Sequence, residues 1–366
     1  MTYVKIGIIG CGNISERYLM SLCDLFKHTE VIAVSDLNEE SAHHRAKQFG
    51  IPNVCCTNEE LLAIEEIDLV VVLTNPQFHY EVVKKSLLAG KNTYVEKPLS
   101  LSAKEGAELL EIAAEKNVML AAAPDTILGA GVQTARKMIE DGWIGQPIAA
   151  ISHILTGGPE SWHPNPAFLY HKGAGPLYDV APYYVAGLTY LLGPVSSVMC
   201  SAKRTYEKRM ITSQPLYGTM IDVEVPTYLV GILNMENGVI CSIHHSFDVG
   251  HTKMDNKVEI YGTEGTLIIP TPCDFSGDIM YHGKHSAEWN KISPFFDYQT
   301  DCRGVGAADM ADALLQNRTP RLNADFAYHT LEVLEGLETS ARNNQSVSIS
   351  SRFETTQPMS LAECWH

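Results

Sequence analysis

The sequence around Lys97 indicates a chemical role for this residue. It lies in the run YVEKP at 94–98, between a short apolar strand pattern and Pro98. Proline lacks an amide hydrogen and disfavours helix at the residue before it, so we expect Lys97 to be held extended at the strand exit. In an open parallel sheet, ligands bind at the strand exits. Lys97 is therefore a candidate ligand contact, although an exposed lysine at a strand end carries equal weight on this motif alone.

A carboxylate and a phenol in the second half form another candidate site. The run GAGP at 173–176 leads into apolar positions that repeat with helical period from Leu177 to Leu192, and proline suits the first turn of a helix. Asp179 and Tyr183 are then one turn apart on the same face. Such a pair can position a polar substrate, and a helix cap beside a packing tyrosine is the equally weighted alternative.

The run GCGNIS at 10–15 lies between an apolar strand pattern and a helical pattern. It matches G-x-G-x-x-G/A, with Ser15 in the third position. The first glycine permits a tight turn, the second lets the backbone approach a pyrophosphate, and the third small residue lets the helix pack on the strand. Amides at a helix N-terminus bind phosphates. This segment therefore predicts a dinucleotide site.

Asp36 ends the next predicted strand, 21 residues after Ser15. An acidic residue in this place accepts hydrogen bonds from the adenosine ribose. Its carboxylate would repel a 2'-phosphate, and Leu37-Asn38 brings no arginine. The sequence therefore favours NAD over NADP as the cofactor.

Strand and helix patterns alternate up to residue 122, which predicts an α/β fold with a doubly wound parallel sheet. The exits of two predicted strands then place Thr74, Asn75, Glu96 and Lys97 on one rim. His79 opens a helix beside this rim and is a candidate catalytic residue, although such a histidine is more often a capping or packing residue.

After residue 147 the pattern changes to longer strands joined by hairpin turns, of which the Asn237-Gly238 turn is the strongest signal. We predict an α+β half, with one sheet face to be covered by self-association. The predicted domains are 1–124, a Rossmann domain that binds NAD; 125–350, a domain for substrate binding and oligomerisation; and 351–366, a tail that looks mobile.

The composition excludes several classes of function. A formal net charge of -16 argues against nucleic acid or an anionic membrane as partner. No apolar run is long enough to cross a membrane, and no secretory signal is visible. Nine scattered cysteines without a C-x-x-C pair point to a reducing compartment, and we expect a cytoplasmic location. The histidines lack metal-ligand spacing, so no metal is predicted.

Together these motifs resemble the Gfo/Idh/MocA family of NAD(P)-dependent oxidoreductases along nearly the whole chain. The motifs that carry the resemblance are GCGNIS at 10–15, Asp36, the loop 74–79, EKP at 96–98 and the glycine-rich lead into Asp179. The resemblance implies a Rossmann domain, a second domain with a large, mainly antiparallel open sheet, and activity on sugars, inositols or related polyols.

The chain departs from the common family pattern at two places. Tyr183 stands where many members carry a histidine that is taken as the general acid/base, so the chain looks like a Pro-Tyr-Tyr subgroup. The run APDT at 123–126 replaces the commoner arginine-containing loop. The first departure leaves the identity of the base open.

The resemblance implies hydride transfer between a carbinol carbon and the nicotinamide, with loss of the hydroxyl proton. Lys97 would hydrogen-bond the reacting oxygen, and Asp179 would hold a neighbouring hydroxyl. Tyr183 would accept the proton, its pKa lowered by the nearby ammonium. His163 is a candidate substrate contact or alternative base.

The expected contacts are assigned to NAD and to the substrate. Those expected to bind NAD are Gly10, Gly12, Asn13, Ile14, Asp36, Thr74, Asn75, His79, Glu96 and Lys97. Those expected to bind substrate are Asp125, Thr126, Trp162, His163, Tyr178 and Asp179.

Aromatic side chains beside polar ones favour a glycoside or pyranose that is oxidised to a keto sugar, with a 3-keto glycoside as our hypothesis. An inositol or polyol dehydrogenase, a redox-neutral NAD-dependent glycosidase or lyase, and a non-catalytic sugar sensor are the alternatives.

Overall fold

The computed structural model describes residues 3–361 and Trp365. These residues form two compact units. The first contains residues up to 133, residues 295–331 and the described residues from 352 onward; the second contains 134–294 and 332–351. The units are discontinuous in sequence, whereas the domains expected from the sequence are contiguous, and the domain boundaries remain a prediction.

In the described part of the first unit, six parallel strands form one sheet in the order β3-β2-β1-β4-β5-β6. The strands are β1 (Val4–Ile9), β2 (Thr29–Ser35), β3 (Asn53–Cys55), β4 (Leu69–Val72), β5 (Asn92–Val95) and β6 (Leu120–Ala122). All four residues of β4 are buried, as expected for a central parallel strand covered on both faces. The strand order reverses between β1 and β4, so the predicted doubly wound sheet is confirmed.

Helices flank the strands in both units. The described residues contain ten α-helices: α1 (Asn13–Met20), α2 (Glu39–Phe49), α3 (Asn58–Leu62), α4 (His79–Leu88), α5 (Ala103–Lys116), α6 (Ala130–Glu140), α7 (Gly175–Tyr178), α8 (Ala181–Leu192), α9 (Val305–Gln316) and α10 (Ala324–Asn343). Local signals set their ends. Asn38 caps α2 by accepting from two backbone amides, and Gly50 ends it with a φ of 68°.

A nine-stranded sheet dominates the second unit as described, in the order β16-β15-β14-β13-β7-β12-β11-β8-β17. Strands β7 and β12 pair in parallel, and the other neighbours are antiparallel. A separate hairpin is formed by β9 and β10. The strands are β7 (Pro147–Leu155), β8 (Val195–Lys203), β9 (Lys208–Met210), β10 (Met220–Asp222), β11 (Tyr228–Met235), β12 (Ile240–Ser246), β13 (Lys257–Gly262), β14 (Gly265–Pro270), β15 (Ile279–Gly283), β16 (Asn290–Ile292) and β17 (Val347–Ser348).

The large sheet is buried on one face only. Along β11, Leu229 and Leu233 are buried while Val230 and Ile232 are exposed. This alternation is typical of a sheet with one covered face, and the predicted large, mainly antiparallel sheet is confirmed.

Two expectations about local structure are wrong. The single helix predicted from Leu177 to Leu192 is two helices, α7 and α8, because Pro182 has no amide hydrogen to donate to the carbonyl of Tyr178 one turn earlier. The tail expected to be mobile is anchored where it is described, since Phe353 and Trp365 are buried.

No helix within residues 3–361 is long and apolar enough to span a membrane.

Candidate functional site

The glycine turn after β1 has the geometry that a dinucleotide requires. Gly10 has a φ of +105°, and a Cβ there would lie 2.7 Å from the carbonyl carbon of Leu73, so only glycine fits. A Cβ on Gly12 would meet no described atom within 4 Å. The backbone of Gly12 is therefore open to the close approach of a pyrophosphate at the start of α1.

Asp36 lies beside this turn at the end of β2. One carboxylate oxygen, Oδ2, accepts from the amide of Cys11 at 2.6 Å, and Oδ1 accepts from the amide of Asn38 at 2.7 Å. The two bonds hold the carboxylate against the glycine turn. An open pocket of about 540 Å³ lies next to it, and its lining includes Gly12, Asn13 and Ser41. These groups fit the adenosine and pyrophosphate of a dinucleotide.

Arg45 supports the same turn and was missed by sequence reasoning. It is buried on α2, where its Nε donates to the Ser15 hydroxyl at 3.2 Å and its Nη1 lies 3.2 Å from the Glu16 carboxylate. The serine hydroxyl in turn donates to the carbonyl of Gly12 at 2.6 Å. The third position of the motif is thus tied both to the glycine turn and to α2.

His79 joins the exits of β4 and β5. The side chain is fully buried; Nδ1 lies 2.7 Å from the carbonyl of Pro98, and Nε2 lies 2.9 Å from the carbonyl of Thr74. Burial lowers the pKa of the imidazole. In this position His79 organises the two loops of the rim.

Glu96 and Lys97 follow β5 as the sequence predicts. The Glu96 carboxylate is buried and accepts from the Tyr18 hydroxyl at 2.8 Å and from the Lys97 amide at 2.9 Å. The Lys97 side chain is half-buried. Nearby at the β4 exit, the hydroxyl of Thr74 is buried without a hydrogen-bond partner among the described residues. Such an orphaned group at a strand exit fits a bound cofactor that would satisfy it.

Asp125 and Thr126 lie inside the first unit. Both are buried, and the Asp125 carboxylate accepts from the amide of Gly304 at 2.6 Å. Burial raises the pKa of Asp125; the nearby charge of Arg303 opposes this and that of Glu96 adds to it, and the net result is a pKa of about 7. The contacts of Asp125 described here are with its own unit, and its expected role in substrate binding remains a prediction.

Asp179 and Tyr183 flank the junction of α7 and α8 in the second unit. The Asp179 amide donates to the carbonyl of Gly175 at 2.9 Å, and both side chains are half-buried. Tyr178, by contrast, is buried and donates its hydroxyl to Glu338 at 2.9 Å. Tyr178 and Asp179, although adjacent in sequence, therefore have different surroundings.

His163 lies close to Asp179 and is enclosed by aromatic rings. Its ring centroid is 5.5 Å from that of Trp162 and 5.4 Å from that of Phe168. Burial lowers the pKa of His163, while the charge of Asp179 raises it in part. The Nδ1 atom accepts from the Asn165 amide at 3.0 Å. A neutral imidazole has one donor and one acceptor nitrogen, so Nε2 carries the hydrogen and is a donor.

Within each unit, then, the structure brings some of the predicted residues together. The first unit brings the glycine turn, Asp36 and the rim residues to the same edge of the sheet. The second brings His163 and Asp179 near each other. No cluster of three or more histidine, cysteine, aspartate or glutamate side chains within the described residues is arranged to hold a metal ion.

Comparisons with known proteins cover both units. A family model described as "Oxidoreductase family, NAD-binding Rossmann fold" matches residues 4–123, and one described as "GFO/IDH/MocA C-terminal domain" matches residues 132–268. The chain is 26% identical over 268 residues to dTDP-3,4-didehydro-2,6-dideoxy-alpha-D-glucose 3-reductase of Saccharopolyspora spinosa, covering 73% of this chain and 74% of the relative. It is 23% identical to levoglucosan dehydrogenase of Pseudarthrobacter phenanthrenivorans, with coverage of 73% and 74%.

A solved structure of levoglucosan dehydrogenase in complex with NADH shares the fold, with a TM-score of 0.82 and 19% identity over 95% of this chain and 100% of that one.

Proposed function

This chain belongs to the Gfo/Idh/MocA family of oxidoreductases and carries its NAD-binding Rossmann domain; from that premise we propose that it is an NAD-dependent dehydrogenase acting on a ring hydroxyl of a sugar or glycoside, with a keto sugar as the oxidised product. The observation that carries this proposal is the placement of Lys97. Glu96 and His79 hold the exits of β4 and β5 in one arrangement, and Lys97 follows β5 at the edge where a parallel sheet binds its ligands.

Each proposed residue has one task. When bound, NAD supplies the acceptor for the hydride. Lys97 donates a hydrogen bond to the reacting oxygen and stabilises the negative charge that develops there. Tyr183, in its phenolate form, accepts the hydroxyl proton, and Asp179 holds a neighbouring hydroxyl so that the reacting one is oriented.

The tautomer of His163 supports Tyr183 as the base. Because Nδ1 already accepts from the Asn165 amide, Nε2 of the neutral ring carries a hydrogen and has no lone pair to take a second proton. His163 is therefore suited to donate a hydrogen bond to a substrate oxygen. The phenolate form of Tyr183 remains as the proton acceptor of the pair, and it becomes the phenol in the step.

Aromatic surface beside His163 supports a sugar or glycoside over an open-chain polyol. Trp162 is 69% exposed and Phe168 is 48% exposed, and both rings lie against that of His163. A pyranose ring or an aglycone can be buried against such surfaces. The name of the S. spinosa relative specifies reduction at position 3 of a sugar, which supports position 3 as the proposed site of oxidation.

The proposal is tested by mixing the protein and NAD with a panel of glycosides, free pyranoses, inositols and linear polyols, and following NADH by absorbance. NADH should form fastest, by kcat/KM, with a pyranose or glycoside. A higher kcat/KM with an inositol or a linear polyol would show that the enzyme is an inositol or polyol dehydrogenase instead. Release of aglycone without net NADH would indicate the redox-neutral reaction, and binding without either product would indicate a sensor.

We also propose that the chain forms a homo-oligomer through the exposed face of the nine-stranded sheet. Five large apolar side chains, each 39–54% exposed, lie on this face: Ile151, Met199, Val230, Ile232 and Ile240. Ile232 and Met199 are directly paired across β11 and β8, so the surface is contiguous and of the kind that marks a protein interface. Ile232→Asp should lower the sedimentation coefficient to that of a smaller species. An unchanged coefficient would show that this face is not the oligomer interface.

A cytoplasmic location remains a proposal, supported by the eight described cysteines, all of which are free thiols.

A further inference from the structure

The β9–β10 hairpin inserts a buried arginine beneath the segment that carries His163. Arg209 is 9% exposed although its neighbours on β9 are exposed. Its Nη1 donates to the carbonyl of Gly157 at 3.1 Å and to the hydroxyl of Tyr170 at 2.8 Å, and lies 2.7 Å from a carboxylate oxygen of Glu160. Its Nη2 lies 3.1 Å from the carboxylate of Asp248.

These partners bracket a single segment of the chain. Gly157 and Tyr170 lie at its two ends, and Glu160 lies within it; Glu160 and Tyr170 are also hydrogen-bonded to each other. Because one guanidinium group contacts both ends, it closes the segment 157–170 into a loop of defined shape. Trp162 and His163 lie inside that loop.

The hairpin holds the same loop by a second set of contacts. The amides of Thr212 and Ser213 donate to the carbonyl of Glu160 at 2.9 and 3.0 Å. The Ser213 hydroxyl donates to the carbonyl of His163 at 2.6 Å. The residue at the proposed substrate contact is thus attached to the hairpin by its own backbone.

An apolar cluster fixes the hairpin itself. The buried side chains Ile211, Ile221 and Val223 pack with Tyr170 and Phe247. The hairpin therefore cannot move without disturbing a packed core, and this core also holds Tyr170 at the end of the loop.

The charges make the arginine hard to replace. The side chains of Glu160 and Asp248 are 14% and 5% exposed, and that of Arg209 is 8% exposed. A neutral residue at 209 would leave two carboxylates without their cation in a poorly hydrated place, and an unpaired buried charge is strongly unfavourable. The segment that carries Glu160 would relieve this by moving towards water.

We propose that Arg209 is a positioning residue that sets the place of Trp162 and His163, and thereby decides which sugars or glycosides the site accepts. The proposal rests on the proposed function for its consequence on substrate choice. Its structural part, the closure of the segment 157–170 by one guanidinium group, does not depend on any substrate.

The structural part is tested by hydrogen–deuterium exchange with mass spectrometry on the intact protein. Arg209→Met should raise the exchange rate of amides in 157–170 at least about 10-fold, and Arg209→Lys, which keeps the charge but loses the planar fork, should raise it less. Lys208→Met is the matched control, because this neighbouring cation is exposed and pairs with exposed Asp222. It should leave the segment unchanged. Wild-type exchange in Arg209→Met would overturn the proposal.

Tyr170→Phe is a second, milder test that still applies if Arg209→Met does not fold. It removes one hydroxyl partner of Arg209 and keeps the ring in the apolar cluster. The exchange rate of amides in 157–170 should still rise about 3-fold. An unchanged rate would contradict the closure of this segment by Arg209.

The catalytic consequence is measured separately. With a substrate found by the NADH panel, Arg209→Lys should raise KM for that sugar at least about 10-fold, leave KM for NAD within about 2-fold, and change kcat less than KM. A loosened segment with unchanged KM would overturn the role in substrate choice. If no sugar is oxidised, the proposed function fails while the exchange experiment still decides whether Arg209 closes the loop.

Discussion

Asp125 allows a quantitative test of the first unit, because its carboxyl group is buried beside another acid. Its pKa is raised from 3.8 to about 7, first by burial and then by the charge of Glu96. Between these two values the folded protein keeps a proton that the unfolded chain has lost. The folded state therefore binds more protons than the unfolded state, and the free energy of unfolding falls as pH rises through this window.

The size of the effect follows from the two pKa values. Each pKa unit corresponds to about 1.4 kcal/mol, so the contribution lost between about pH 5 and about pH 8 is roughly 2.5 kcal/mol. Asp125→Asn cannot ionise and should lack this loss. The asparagine carbonyl can still accept a hydrogen bond from the Gly304 amide. Its NH₂ group, which replaces a carboxylate oxygen, changes the free energy of unfolding by about 1–3 kcal/mol, and this change does not depend on pH. The slope with pH, rather than the offset, is the diagnostic quantity.

Urea unfolding of wild type and Asp125→Asn at about pH 5 and about pH 8 measures that slope. Relative to wild type, the variant should gain roughly 2.5 kcal/mol between the two pH values. The buried His79, whose lowered pKa gives the opposite trend below its usual value, is present in both proteins and cancels. A difference that stays constant within about 0.5 kcal/mol would show that Asp125 is not protonated in the folded state and would refute the reasoning.

Three further predictions concern the proposed reaction. Asp36→Ala should narrow the preference for NAD over NADP, because the repulsion of the 2'-phosphate and the ribose hydrogen bonds are lost together; equal binding of NADP and NAD by wild type would show that Asp36 is misplaced. Lys97→Ala should lower kcat by a factor on the order of 10² to 10⁴ and leave NAD affinity within a few-fold, and near-normal turnover would remove Lys97 from the mechanism. Tyr183→Phe should abolish most turnover while sparing substrate binding, whereas His163→Asn should mainly raise KM. The reverse pattern in steady-state kinetics would show that His163, rather than Tyr183, is the general base.

Local rules were sufficient where the interacting groups are close in sequence or repeat with a simple period. The glycine at position 10 follows from the turn that any chain must make there. The position of Asp36 follows from the strand that ends at it. The strand β4 is apolar at every position, which a central parallel strand requires. For these features the sequence by itself determined both the fold of the first unit and its cofactor.

The same rules could not show contacts whose partner lies far along the chain. Asp125 and Thr126 have the polarity of a ligand loop, yet they are buried, because the amide that Asp125 binds belongs to Gly304, 179 residues away. His79 looks like a helix-opening residue, and only its contact with Pro98 shows that it joins two loops. Neither contact leaves a periodic trace in the sequence.

Arg209 is the clearest case of what tertiary structure alone decided. In sequence it stands in the run KRM at 208–210, between two exposed residues, and nothing in that run distinguishes it from a solvated cation. Its role depends on Gly157, 52 residues earlier, and Asp248, 39 residues later. The sequence therefore determined the sheet, the glycine turn and the NAD site, because these arise from local backbone geometry. Only packing between distant segments decided where the His163 loop lies, because burial of a charge depends on partners that are far apart in sequence.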